Sequence, residues 1–365
     1  MLVRSAGLWS ARSMRTGLLE FLCCPNCKAD LQLVDDTMSG RTVVTGALRC
    51  VACAERFPIR QGVPDFVSPH DDESVQQTTS GFADNWQHYN RVILANENLN
   101  RDLFADWLWP LAPTHFEDKI VVEAGCGMGR WLRLAAEHRP RALIGFDYSP
   151  IARTAAKNTA HLTNVHVIQA DIFRLPIKPI VDVNYSIGVV HHTPDPKGAF
   201  RSLVDALAED GVITAWVYGQ ENNEWITTLV DPVRKRVTSR LPVSVLKAVS
   251  FAAAAQLRVV SNAYVASGAP SWLPYRDYMV HLKEYPFDYM SHIVYDHLVP
   301  SIANYLSRDE MLDWVNGTGL SWVLSPRNAN SWRMLAARTP AALERAIAPE
   351  TSRTIQARGE TNLAG

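Results

Sequence analysis

The chain has almost no net charge: 36 Lys and Arg stand against 37 Asp and Glu, a balance of −1 over 365 residues. So even a balance gives no global field for drawing in nucleic acid or an anionic membrane, and leaves that to local patches. Cysteine is nearly missing beyond residue 53, where Cys126 stands alone; the other five lie ahead of it. That distribution argues against an oxidised disulfide framework and for a reducing compartment. Long apolar runs are also scarce. The longest, "VSFAAAAQLRVV" at 249–260, is interrupted by Gln256 and Arg258, so it reads as a buried or interfacial helix and no membrane span is expected. The first twenty residues lack any acid before Glu20 and carry Arg4, Arg12 and Arg15. They read as a flexible extension, residues 1–17, or as a transit peptide. The expected location is cytoplasmic, or the mitochondrial matrix if the extension is a targeting signal.

What is present divides the chain into parts. Residues 18–66 are short, turn-rich and cysteine-bearing, and residues 67–117 begin as a polar linker and continue as helix. In "GFADNWQHYN", Phe82, Trp86 and Tyr89 recur at helical intervals, which suits either a lid over a ligand or plain core packing. From 118 the pattern alternates strand and helix: "KIVVEAG", "ALIGFD", "NVHVIQ", "DVNYSIGVV" and "GVITAWVY", with helices at 129–138, 150–161 and 197–208 between them. Such alternation predicts a parallel, doubly wound sheet over 118–218. The rhythm stops over 219–306 and resumes at 307–340, where Ser307 and Glu310 form a capping box ahead of two more strands. The segment 219–306 therefore reads as a mainly helical cap insertion, and 341–365 as a tail.

The stretch "VVEAGCGMGRW" places Glu123, Gly125, Gly127 and Gly129 where a strand passes into a helix. Glycines there let the backbone approach a ligand closely. Glu123 would repel a phosphate and suits an amine-bearing ligand instead. Asp147 ends the second strand, where an acid commonly meets a ribose diol, and Asp171 follows the third, positioned for an adenine amino group.

Together, "VVEAGCGMGRW", "GFDYSP", "QADIFRLP" and "YSIGVVHHTPDP" resemble the class I S-adenosylmethionine-dependent methyltransferases. The resemblance implies a Rossmann-like sheet that binds S-adenosylmethionine. It would set Glu123, Gly125, Gly127 and Gly129 on the methionine side, Asp147 and Tyr148 on the ribose and adenine, Asp171 and Ile172 beside the adenine, and Gly188 in the fourth motif. Phe82 and Trp86 would close over the cofactor as lid residues. Relatives often carry Asp where this chain has Glu123.

Methyl transfer from a sulfonium depends mostly on positioning and water exclusion. His191 and His192 follow the fourth strand, at the carboxyl end where such sites lie, and read either as a general base or as residues that hold the turn. An Asn/Asp-Pro-Pro-aromatic motif, usual in methylases of exocyclic base amines, is missing there. Tyr295 and Asp296, with His297 and Tyr305, gather where the insertion returns and are further catalytic candidates; Asn328 and Trp332 are candidates for the pocket rim. From Tyr218 to Tyr305 there are twelve aromatics, with seven acids against eight Lys or Arg. That even count favours a pocket for a small-molecule acceptor over a phosphate-tracking surface. The run "RKRVTSR" at 234–240 is the one basic feature, and most such runs are solvated helix faces.

Cys24 and Cys27 form one CxxC and Cys50 and Cys53 another. Two such knuckles suit one tetrahedral zinc ion, with iron or a disulfide pair as alternatives. Residues 18–66 resemble the small zinc-ribbon family that includes the activator subunit of tRNA and protein methyltransferases, although Ala54 stands where relatives usually have Gly. With five basic and five acidic residues over 21–66, the ribbon is not an RNA patch by composition. The expectation is thus a methyltransferase with a zinc ribbon, acting at O, C or S of a small molecule. The alternatives are an RNA methyltransferase and a non-catalytic interaction scaffold.

Overall fold

The computed structural model describes residues 14–39, 42–68, 72–224, 226–268, 270, 276–327, 330–347 and 361–362. Two compact units result. The first takes Met1–His70, Asn98–Glu224 and Ala303–Gly365; the second takes Asp71–Glu97 and Trp225–Ile302.

In the first unit, the ribbon is built from β1 (Met14–Arg15), β2 (Leu31–Ser39), β3 (Thr42–Cys50), β4 (Arg56–Arg60) and β5 (Val63–Pro64), with β3 central. Each cysteine knuckle ends on a left-handed residue, Lys28 (φ 62°) after Cys27 and Ala54 (φ 60°) after Cys53. A β-carbon is strained there, which is the physical reason for glycine in relatives. Ala54→Gly should stabilise the chain by roughly 0.5–1 kcal/mol, after allowing for the added chain entropy of glycine. A thermal midpoint that rises by about 1–3 °C would bear this out, and an unchanged or lower one would contradict it.

Two helices follow the ribbon, α1 (Glu73–Ala95) and α2 (Glu97–Leu108). The larger sheet then forms from β6 (Ile120–Ala124), α3 (Arg130–Glu137), β7 (Ala142–Asp147), α4 (Ala152–Asn158), β8 (Val165–Gln169), β9 (Val181–Ile187), α5 (Pro196–Asp205) and β10 (Leu207–Tyr218). All five expected strands are present, and β6 to β10 pair in parallel. They read as near-continuous apolar runs because helices cover both faces. β9 stops at Ile187 because Gly188 turns to φ 75°. The expected helix to 208 ends earlier, at Asp205, and β10 starts at Leu207 with a register shift before Val212.

The second unit contains α1 together with α6 (Asp231–Arg236), α7 (Val243–Ala266), α8 (Arg276–Lys283) and α9 (Phe287–Leu298). The insertion is therefore mainly helical, as its sequence pattern suggests. The chain then returns to the first unit through α10 (Arg308–Val315), β11 (Ser321–Arg327), β12 (Ser331–Ala337), α11 (Pro340–Ala346) and β13 (Thr361–Asn362). The capping box of Ser307 and Glu310 is formed at the start of α10.

The strand order is β13-β11-β12-β10-β9-β6-β7-β8. Here the fold departs from a wholly parallel sheet, since β12 runs antiparallel to both β10 and β11. A two-strand return with a short turn cannot provide the crossover that parallel pairing needs. The order reverses between β6 and β9, so the crevice for a ligand opens beyond their carboxyl ends.

The ribbon covers the free edge of β8. The Phe66 N–H donates to the Gln169 carbonyl (2.8 Å), the Cys23 N–H to that of Pro176 (3.0 Å), and the Lys28 ammonium to that of Leu175 (2.9 Å). One hydrophobic cluster continues from Leu22, Leu48 and Phe57 into Ile168, Ala170 and Leu175. A core too small to stand alone is thus completed by the sheet, and an edge prone to pairing is masked.

Candidate functional site

The loop after β6 is shaped by its glycines. Gly125 sits at φ 73°, and a β-carbon there would lie 2.3 Å from a methyl of Val189. The N–H groups of Gly125 and Cys126 both donate to the Phe146 carbonyl (2.8 and 2.9 Å), which ties the loop to the end of β7. Gly127 (φ 50°) donates its N–H to Asp147 Oδ2 (2.9 Å), and Gly129 (φ 84°) opens α3 with its Cα side against Ala155.

Asp147 accepts two further bonds at Oδ1, from the Ser149 N–H (2.9 Å) and hydroxyl (2.8 Å). Burial pushes this carboxyl up, and the three donors oppose that shift. A carboxylate has about four acceptor positions, so about one remains for a ligand hydroxyl. Tyr148 lies beside it and points its hydroxyl to the Ser68 carbonyl (3.4 Å). Asp171 caps the turn after β8 by accepting from the Phe173 N–H (2.9 Å), while Ile172 is buried in the main hydrophobic cluster.

Glu123 is buried on β6, where burial pushes its carboxyl up to about 8 against the Tyr185 hydroxyl (2.9 Å) and the charge of Arg130. A raised folded pKa means that the folded chain holds this proton more tightly than the unfolded one. That contribution is complete below the ordinary carboxylate range near 4.3 and is lost as pH climbs through about 8. Melting curves should therefore show wild type losing stability from pH 5 to 9 more steeply than Glu123→Gln. Parallel slopes would contradict this assignment.

Beyond β9, Gly188 donates its N–H to the Trp216 carbonyl (3.1 Å). His191 is buried with its ring 4.1 Å from that of Tyr218 and 4.2 Å from that of His192, and its carbonyl accepts from the Asn304 amide side chain (3.0 Å). His192 is partly exposed and meets Tyr218 edge-on (5.7 Å). Tyr218 in turn stacks on Tyr305 (5.5 Å, 25°). Trp332 donates its indole N–H to Glu221 (3.1 Å) and to the Leu306 carbonyl (3.0 Å); Asn328 lies outside the described residues.

The sequence reading missed a second group in this unit. Trp107 stacks on Trp216 (4.6 Å, 11°), with the Arg130 guanidinium 3.8 Å above Trp131 and the Arg327 guanidinium 5.7 Å from Trp107. Asp106 orients Arg327 and pairs with Arg333 (3.2 Å), which covers Trp109 at 4.4 Å. Arg130 lies inside the quoted glycine motif, but nothing local links positions 107, 216 and 327.

The remaining candidates belong to the second unit. Tyr295 is buried and donates to Asp84 (3.0 Å), and Asp296 accepts from the Asn85 amide (3.0 Å). Burial, with the Asp84 charge, pushes the Tyr295 hydroxyl well above its usual value. Trp86 packs on His292 (4.9 Å), and Phe82 is partly buried on the same helix. These contacts join α1 to α9.

In the ribbon, the Sγ atoms of Cys24, Cys27, Cys50 and Cys53 all lie within 4.8 Å of one another, with Cys24–Cys53 at 3.7 Å and Cys27–Cys50 at 3.4 Å. The N–H groups of Cys53 and Ala52 hold the Cys50 thiol down at about 6. Cys23 is buried outside this cluster.

Comparison with known proteins adds names to this geometry. Residues 122–215 match the family model described as a methyltransferase domain, and 15–62 the one described as Trm112p-like protein. A tRNA U34 carboxymethyltransferase of Pseudoalteromonas atlantica is 26% identical over 127 residues, which cover 32% of this chain and 39% of the relative. One from Wolinella succinogenes is 31% identical over 126 residues, covering 31% and 44%. The chain thus spans about two fifths of the length of these curated relatives. A solved DhpI–SAH complex covers 72% of this chain and 95% of its own at 14% identity, with a TM-score of 0.43. So low a score says nothing of substrate.

The relatives' shared name overturns the expected small-molecule acceptor and the reading that the chain carries no strong nucleic-acid signal, and it favours the RNA alternative. The even charge count came from residues 218–305, and it carries nothing about cations elsewhere on the chain. Arg130 is far in sequence from Arg327 and Arg333, yet all three lie against tryptophans in the first unit, with Arg327 and Arg333 both paired to Asp106.

Proposed function

From a chain that carries a methyltransferase domain behind a Trm112p-like domain, we propose transfer of a methyl group from S-adenosylmethionine to an RNA, in the first place a tRNA. The observation that carries this reading is the alignment of the methyltransferase region with relatives named as tRNA-modifying enzymes. The bound cofactor would supply an activated methyl group on a sulfonium, so the chain's own residues need only bind, orient and exclude water.

In this reading Gly125, Gly127 and Gly129 bring backbone close to the cofactor, and Glu123 favours its amine end. Asp147 spends its remaining acceptor position on the ribose, with Tyr148, Asp171, Ile172 and Gly188 beside the adenine and sugar. His192, the more exposed of the pair, is the group able to take a proton from the acceptor, and His191 holds the turn. Trp107 and Trp216, ringed by Arg130 and Arg327, offer stacking and charge to a nucleotide. The relatives' name specifies a carboxymethyl group, and those arginines would also suit a carboxylate on the transferred carbon.

The ribbon's thiolates fit zinc. Four sulfurs at about 2.3 Å from one tetrahedral ion stand about 3.8 Å apart, close to the separations of 3.7 and 3.4 Å seen here. The ion would hold the knuckles that dock on β8.

Incubation with methyl-labelled S-adenosylmethionine and total tRNA tests the reading. Label should enter tRNA, digestion should place it on one nucleoside, and the His192→Ala variant should lower the rate while leaving cofactor affinity unchanged. Label confined to small metabolites, or none at all with cofactor bound, would overturn it.

A further inference from the structure

The second unit carries a surface that methyl transfer does not explain. Among the described residues, eleven large hydrophobic side chains are exposed, and nine of them fall between Leu229 and Val260. The helix α7 leaves much of its apolar surface outward. Its buried positions are Leu246, Ser250, Ala254 and Ser261, at helical spacing, while Val245, Val249, Phe251, Val259 and Val260 are exposed, Phe251 at 57% and Val259 at 68%. A helix on a water-facing surface shows the reverse arrangement. An apolar stripe of this length, left outward, marks an interaction site.

Charge identifies the partner. Residues 226–268 hold six Lys or Arg and a single acid, Asp231; Arg234 and Lys235 pair with Asp231, Lys247 with Asp84, and Arg258 bonds to backbone carbonyls, so the outward charge is carried by Arg236 and Arg240. Arg236 and Arg240 are exposed next to the exposed Val233 and Val237, so cations and apolar side chains share the 233–240 segment that leads into α7. A protein partner gives no reason for so strong a cationic bias beside valines, and an RNA gives no reason for the valines. An anionic lipid surface accounts for both, since apolar groups enter the acyl boundary while cations meet the headgroups.

Length and composition would allow α7 to cross a bilayer. The packing excludes that within this fold. α7 packs on α8 and α9, and the Arg258 guanidinium donates to the carbonyls of Lys283 (2.7 Å) and Tyr285. Insertion would strip those neighbours away. The expected alternative of a buried helix is likewise not what the fold shows.

We infer that the α6–α7 face lies in the plane of an anionic membrane and docks the protein there peripherally. The inference is independent of the methyl acceptor. In flotation of the full chain with vesicles, it should rise with phosphatidylcholine containing one third phosphatidylglycerol and far less with phosphatidylcholine alone. Val249→Asp with Val259→Asp should weaken partition at least tenfold, and Arg236→Glu with Arg240→Glu by about fivefold per cation or more. Both variants should keep cofactor binding, and tRNA labelling measured without lipid should be unchanged. Three results would overturn the inference. One is wild type that ignores both vesicles. Another is variants that float like wild type. The third is a wild type blind to lipid whose valine variant dissociates a dimer, or whose arginine variant loses tRNA retention.

Discussion

On the proposed zinc site, the Cys50→Ser variant is expected to bind no zinc and to melt about 10 °C or more below wild type, and the loss should reach the methyltransferase domain. Loss of a structural metal is among the few single changes worth more than about 4 kcal/mol, and a kcal/mol shifts the midpoint of a domain of this size by about 2–4 °C. The four sulfurs form one cluster, so removing one leaves three thiolates to repel each other without an ion. The effect spreads because the ribbon shares its hydrophobic cluster with Ile168, Ala170 and Leu175 and donates hydrogen bonds to Gln169 at the end of β8 and to Leu175 and Pro176 after it. Metal content by mass spectrometry and a melting curve check both parts. One equivalent of zinc retained by the variant would refute the ligand set. A ribbon that unfolds while cofactor affinity and the main transition stay unchanged would refute the coupling.

The second large effect is at Gly125. Gly125→Ala should abolish measurable cofactor binding and cost roughly 2–5 kcal/mol of stability, the sum of left-handed strain and overpacking. The new carbon would sit 2.3 and 2.5 Å from the two methyls of Val189, inside any real contact, and φ is 73°. The two causes separate in a double variant. Val189→Ala behind Gly125→Ala should return the overpacking share and leave the strain share, a coupling that a cycle measures directly. Calorimetry that finds wild-type affinity in the single variant would remove the loop from the cofactor site.

Much of the site was legible because its parts are local. The glycine loop, the acid ending β7 and the cysteine knuckles are each defined by backbone needs within a few residues, where sequence and geometry are directly linked. Ala54 is an instructive exception, since its left-handed φ of 60° shows the position keeping glycine's conformation without glycine. By contrast, Tyr295 and Asp296, which the sequence left open between a catalytic and a core role, bond to Asp84 and Asn85, residues 211 positions away. Their partners are supplied by packing, which leaves no local pattern.

By itself, then, the sequence determined the alternation of strand and helix, the glycine loop and the paired cysteines, because these depend on periodicities and spacings written along the chain. Only the tertiary structure decided the antiparallel return of β12, the docking of the ribbon on β8 and the grouping of Arg130, Arg327, Trp107 and Trp216. It also decided which face of α7 is left outward: the stretch read as buried or interfacial turns Ser250 and Ala254 inward and Val249, Val259 and Val260 out. Composition states how apolar a helix is, but the neighbours it packs against determine which side chains remain for solvent or a partner.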